Sequence, residues 1–205
     1  YNTGKDSYVL STEKSETEGS VDYRVRTDIA FDVTGMANGP VGKNDISQTI
    51  DAKSITFTTA PLTEKLVYVG NGTMDIWASC QNSNDFDLIG IVEVVHEDGS
   101  SHFLTRGTIR ASHRDGLSED SDQRLVWDTI GLSDYMHDST QAKVEARMEE
   151  GIKEPTLLKF SLELNAVTLN PGDALRVTLF GGTTRRDDTT IQSYMYYNED
   201  GTLKT

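Results

Sequence analysis

Residues 54–114 read SITFTTAPLTEKLVYVGNGTMDIWASCQNSNDFDLIGIVEVVHEDGSSHFLTRGTIRASHR, from Ser54 to Arg114. Ile55, Phe57 and Thr59 alternate with Thr56 and Thr58, and Met74, Ile76 and Ala78 alternate with Asp75, Trp77 and Ser79. Period-2 alternation puts successive side chains on opposite faces, which predicts strands. The apolar run Leu88 to Val95 is short and β-branched, so it reads as a buried central strand rather than a helix. Glu97-Asp98-Gly99-Ser100 supplies the turn of a hairpin, and the return strand runs through Phe103, Thr105, Ile109 and Ala111.

Outward from this stretch the chain stays strand-built. Tyr8 to Ser11 is a short strand candidate, followed by a polar tract that buries too little to order itself. Val21 to Ile29 alternates apolar and charged residues and predicts a half-buried strand. Thr34 to Gln48, rich in Gly, Asn and Asp, predicts a connector. Asp115 to Arg124 is acidic and polar, and Leu125-Val126-Trp127 reads as a short strand or as an anchor holding a loop to the core. Ser139 to Glu150 holds good helix formers with Gly151 at the stop position, predicting one short helix. One strand is expected from Leu158 through Phe160, Leu162 and Leu164 to Ala166. A turn at Asn170 to Asp173 then returns Leu175, Val177 and Leu179 to the core. A last strand is expected over Thr190 to Tyr197. About ten strands, one helix and no repeated βα unit predict an all-β fold, a two-sheet antiparallel sandwich.

Composition narrows the function. A chain of 205 residues suits one domain, 1–205, with a linker and edge strands over 1–50, a core over 51–114, a variable insertion over 115–153 and closing strands over 154–205. A formal net charge of −14 argues against nucleic acid, because phosphate binding needs clustered Lys and Arg. No window reaches the roughly 18 apolar residues that a membrane helix needs, so a soluble protein without a membrane partner is expected. Cys80 is the only cysteine, which excludes an internal disulfide. The chain opens at Tyr1 with no signal segment in view, and its compartment is left open.

The sequence offers no catalytic constellation. No Gly-x-Ser-x-Gly elbow is present. His96, His102, His113 and His137 lack metal-site spacing, although His96 and His102 flank one hairpin and can meet across it. Glu119 to Asp122 lacks the glycine and the closing glutamate of a calcium loop. No enzyme activity and no cofactor are expected of this chain. Trp77, Tyr194 and Tyr196 are candidates for a sugar-stacking or packing surface. Asp85, at the entry to the central strand, is expected to bond nearby backbone N–H groups, with Phe86 beside it. Arg106 and Arg110 are candidates for ion pairs with a partner domain.

Several segments together resemble the C-terminal jelly-roll domain of the X-prolyl dipeptidyl peptidase and cocaine esterase (acyl esterase) family of α/β-hydrolases. They are ITFTTAPL (Ile55 to Leu62), TMDIWAS (Thr73 to Ser79), NDFD (Asn84 to Asp87), VVHEDGSSHFL (Val94 to Leu104) and RGTIRASHR (Arg106 to Arg114), with a fainter match over Glu154 to Phe180. The family usually carries a Gly-His-Arg run where Gly172-Asp173-Ala174-Leu175-Arg176 stands here. The resemblance implies a jelly-roll, galactose-binding-like topology, which a strand count alone does not separate from an immunoglobulin-like sandwich. It implies a structural or interface role for Asp85 and Phe86, and a partner in the α/β-hydrolase catalytic domain of a parent serine hydrolase, whose cleft this chain would help shape. It leaves room for a homo-oligomer. The other reading is a stand-alone carbohydrate- or ligand-binding jelly-roll module.

Overall fold

A computed structural model of the chain describes residues 7–16, 18–24 and 54–181. Among these residues are nine strands: β1 Ser7–Leu10, β2 Ile55–Thr59, β3 Leu66–Gly70, β4 Thr73–Ala78, β5 Asp87–Val95, β6 Ser101–Arg110, β7 Thr156–Ser161, β8 Asn165–Leu169 and β9 Ala174–Phe180. They form one five-stranded sheet in the order β1-β2-β9-β5-β6 and two ribbons, β3–β8 and β4–β7. The antiparallel partners are nested: β5 with β6, β4 with β7, β3 with β8, β2 with β9. A long two-stranded ribbon, bent at the β5–β6 turn and rolled up, gives this pairing, which is that of a jelly roll. Only β1 is parallel to its neighbour, β2. The fold is the expected all-β sandwich.

The core lies between the five-stranded sheet and the ribbons. Met74, Val92, Val94, Leu104, Ile109, Leu158, Phe160 and Leu162 meet there, with Leu175, Val177 and Leu179 packed against them. Burying a side chain such as Leu158 or Phe160 contributes about 2–3 kcal/mol. The outer faces of β5 and β9 are covered too, since Ile91, Thr178 and Phe180 are buried. Two-sided burial explains why the β5 sequence is nearly continuously apolar instead of alternating.

Three expectations need correction. The single strand expected from Leu158 to Ala166 is two strands with different partners. β7 leaves β4 at Ser161, the chain crosses the edge of β6, and β8 begins at Asn165 against β3. At the crossing Glu163 N–H donates to Arg106 O (2.8 Å) and Thr105 Oγ donates to Glu163 O (2.7 Å). Asn165 Nδ2 donates to the carbonyl of Leu104, the extra residue where the β5–β6 register shifts. These bonds satisfy edge groups that would otherwise stay open. The second correction is Leu125-Val126-Trp127, which belongs to helix α1, Asp122–Asp128. Ser121 caps it, its side chain accepting from Gln123 N–H, and Asp122 lies in the first turn. Third, of the strand expected over Val21 to Ile29, residues 21–24 carry no regular structure and the remainder falls outside the described residues. The Thr34 to Gln48 connector and the Thr190 to Tyr197 strand also fall outside them. The predicted helix is present as α2, Gln141–Glu150, and Gly151 stops it at φ 74°, where a side chain would be strained.

Candidate functional site

Trp77 stands on the outer face of β4, opposite Leu157 of β7, and is 69 % exposed. On the other ribbon Val67 and Val69 of β3 are 61 % and 73 % exposed, and they face Thr168 and Ala166 of β8. Leu164, at the crossing between β7 and β8, is 72 % exposed. Strand alternation forces this arrangement: with Tyr68 turned partly inward, its neighbours Val67 and Val69 must point out. Val67, Val69, Leu164 and Trp77 are each presented to solvent. Val67, Val69 and Leu164 were not singled out from the sequence. The two-sided apolar string Leu66-Val67-Tyr68-Val69 on a ribbon with one covered face was the signal available.

Asp85 and Phe86 tie the entry of β5 to the exit of β6. Asp85 Oδ1 accepts from the N–H groups of Phe86 (3.0 Å) and Ser112 (2.8 Å), and Oδ2 accepts from Ser112 Oγ (2.8 Å). Phe86 packs against the core, and its carbonyl accepts from Ala111 N–H. Arg110 forks onto its cross-strand partner Asp87, with Nε at 2.7 Å from Oδ1 and Nη2 at 3.0 Å from Oδ2. Arg106 Nε donates to Glu163 Oε1 at 2.9 Å. Both arginines thus have ion-pair partners inside the chain. Tyr194 and Tyr196 lie outside the described residues, so Trp77 is described without them.

The four histidines fall into two groups. His96 and His102 do meet: His96 Nε2 is 2.8 Å from His102 Nδ1, while His96 Nδ1 is 2.6 Å from Asp173 Oδ1. The Asn170 N–H and His96 together hold the Asp173 carboxyl below the usual carboxylate range. Elsewhere His113 Nδ1 lies 2.7 Å from Ser139 Oγ. Burial, with Arg110 nearby, pushes the His113 pKa down, and burial does the same to His137. Asp173 carried no sequence signal beyond its turn, because a turn aspartate and a histidine 77 positions earlier meet only through the fold.

A cleft of about 440 Å³ opens between the start of β7 and the end of α2, lined among others by Arg114, Arg147, Lys153, Asp115 and Glu150. Its cations are engaged within the chain. Arg114 donates to Glu150 and to the carbonyls of Ala111 and Gly151, Arg147 to Asp115 and Glu150, and Lys153 to the carbonyls of Gln81 and Ser83. Among the described residues no three His, Cys, Asp or Glu side chains converge as a metal site. No described helix is long and apolar enough to cross a membrane.

The described residues thus form an all-β sandwich whose ribbons carry exposed apolar side chains. The chain belongs to the family described as the X-Pro dipeptidyl-peptidase C-terminal non-catalytic domain, whose model matches residues 3–203. Among solved structures it is similar to a CocE/NonD family hydrolase from Staphylococcus aureus, at 19% identity over 68% of this chain and 24% of that one, with a TM-score of 0.47. It is also similar to an aminopeptidase from a marine sediment Thaumarchaeota archaeon, at 17% identity over 72% of this chain and 22% of that one, TM-score 0.45. An α-amino acid ester hydrolase matches at 18% identity over 73% of this chain and 24% of that one, TM-score 0.44. The chain spans about a quarter of the length of these relatives. No curated protein matches it.

Proposed function

We propose that this chain, acting as one domain over 1–205, is the non-catalytic C-terminal sandwich of a serine hydrolase of the acyl esterase or X-prolyl peptidase kind. It packs on the α/β-hydrolase catalytic domain of the same polypeptide and forms one wall of the substrate cleft. The observation that carries this reading is the exposure of Val67, Val69, Leu164 and Trp77 in a chain of a non-catalytic family. Exposed valine and tryptophan on a sheet face are a cost in water that a docked partner removes. The family supplies the partner's class. Arg106 and Arg110, the interface candidates on β6, pair within the chain with Glu163 and Asp87.

The test is the native polypeptide. Recovered from its source with an antibody to this domain, it is expected to be far heavier than 22.7 kDa and to be labelled by a serine-directed phosphonate outside this chain. A native product of 22.7 kDa refutes the reading. Trp77 also suits a stand-alone sugar-binding module. A glycan array decides for that second reading if the short chain is the whole protein and binds above background.

A further inference from the structure

At the end of the sandwich where β5 turns into β6, Asp173, His96 and His102 form a chain of three ionisable groups that the packing of the core does not require. Asp173 is buried in the turn between β8 and β9, where its Oδ2 accepts from Asn170 N–H (2.7 Å). The His96 and His102 rings meet edge to face with centroids 4.8 Å apart. An ionised carboxylate only accepts, so His96 Nδ1 carries a hydrogen. The 2.8 Å gap between His96 Nε2 and His102 Nδ1 has room for one hydrogen. With both rings neutral, that hydrogen sits on His102. After one proton is added, His96 donates from both nitrogens, and His102 accepts at Nδ1 while carrying its own hydrogen on Nε2. The bond survives, and the positive charge rests beside Asp173. A second proton places hydrogens on both facing nitrogens and a positive charge on both rings, and the bond is lost.

We propose that Asp173, His96 and His102 are a pH-operated latch that stays closed through the first protonation and opens at the second, freeing the β5–β6 turn from the β8–β9 turn. Carboxylates stand beside the rings. Asp173 comes from the β8–β9 turn. Asp98 comes from the hairpin turn, its carboxylate held by the N–H and hydroxyl of Ser100. Glu97 reaches over Gly172. The backbone that registers opening is close by, since His96 N–H donates to Ser100 O (2.8 Å) and closes the hairpin.

Amide hydrogen exchange on the full 205-residue chain tests this. Between about pH 7 and about pH 5, protection of the His96 amide, corrected for intrinsic exchange and referred to an amide inside β5, is expected to fall roughly tenfold. In His102→Gln the second protonation is gone, and the fall should vanish. In Asp173→Asn the counter-charge is gone, and the fall should begin at higher pH. Ring-nitrogen NMR supplies a second reading on the unaltered chain: His102 should pass from the Nδ1–H to the Nε2–H form before it becomes cationic. A His96 amide whose protection ignores pH, or falls equally in His102→Gln, overturns the proposal. So does simultaneous conversion of both rings to the cation.

Discussion

Gly90 and Gly107 stand opposite one another on β5 and β6, and each is pressed by a residue of the facing ribbon. Met74 lies over Gly90 and Phe160 over Gly107, and these two are themselves partners across β4 and β7. A pair without side chains receives a bulky pair, so the two layers approach closely at this waist.

The two glycines should not tolerate alanine equally. A methyl on Gly107 would come within 2.8 Å of Phe160 Cδ2 and nearer still to the backbone carbonyl of Ser161, which cannot swing away. A methyl on Gly90 crowds the flexible thioether of Met74, 2.9 Å from Cε and closer to Sδ, and meets Leu179 Cδ2 at an ordinary 3.5 Å. Urea unfolding should show Gly107→Ala costing about 3 kcal/mol and Gly90→Ala about 1 kcal/mol. Equal losses would mean that the waist is not set by the β7 backbone.

Asp85→Ala should destabilise the chain by about 2–3 kcal/mol, because it strands the N–H and hydroxyl of the buried Ser112. Asp85→Asn should recover part of that loss, since its carbonyl oxygen still accepts one of these bonds. Thermal and urea unfolding of the two variants check both values. A neutral Asp85→Ala would show that the bonds between the ends of β5 and β6 contribute nothing net.

Stability should depend on pH in two windows. Burial lowers the His137 pKa, so the unfolded chain binds its proton first. That contribution is complete above about 6.5 and is lost as the pH falls from there through the folded value. The lowered Asp173 carboxyl follows the same sign further down. Its stabilisation is present above about 3.9 and is lost as the pH falls through its folded value. Urea midpoints measured across pH should decline in both windows. His137→Leu should reduce the upper decline, which half-buried His113 shares, and Asp173→Asn should reduce the lower one. A midpoint that rises on acidification through the upper window contradicts the burial of His137.

Trp77→Ser, alone or with Val67→Ser and Val69→Ser, should leave the unfolding midpoint of the isolated chain within about 0.5 kcal/mol of the starting protein, because these side chains face solvent. The same changes should weaken association with the catalytic domain, supplied as a separate chain, by roughly tenfold or more. Weakened folding without weakened association would place the docking surface elsewhere.

Alternation over Ile55 to Thr59 and Thr73 to Ala78 made those strands legible, and the unbroken apolar run of β5 marked the centre of its sheet. The split between β7 and β8 was not legible. Leu158, Phe160, Leu162, Leu164 and Ala166 keep perfect alternation while the hydrogen-bond partner changes, and side-chain period carries no information about which strand lies alongside. Leu164 keeps the pattern and still ends exposed. Helix α1 was hidden for a different reason: Leu125-Val126-Trp127 has strand-like composition, and the start signal lay in Ser121 and Asp122 just before it. The candidate surface was half legible. Trp77 was named from the strand pattern. The partners of Arg106 and Arg110 required Glu163 to be brought 57 positions back along the chain and Asp87 to sit across the hairpin, which only register decides.

The nested pairing also dictates an order of assembly. The β5–β6 hairpin joins residues close in sequence and closes a short loop, while Ile55 cannot find Leu179 until nearly all of the intervening chain has been positioned. Each pair outward from the hairpin closes a longer loop than the one inside it, so the ribbon should zip from its bend toward its ends, and slowly. On the ribosome β9 is the last described strand to emerge, and until it does β5 lacks its neighbour on one side and β2 its antiparallel partner. In that interval the largely apolar β5 is exposed, so truncations that remove β9 should yield insoluble chain rather than a smaller sandwich.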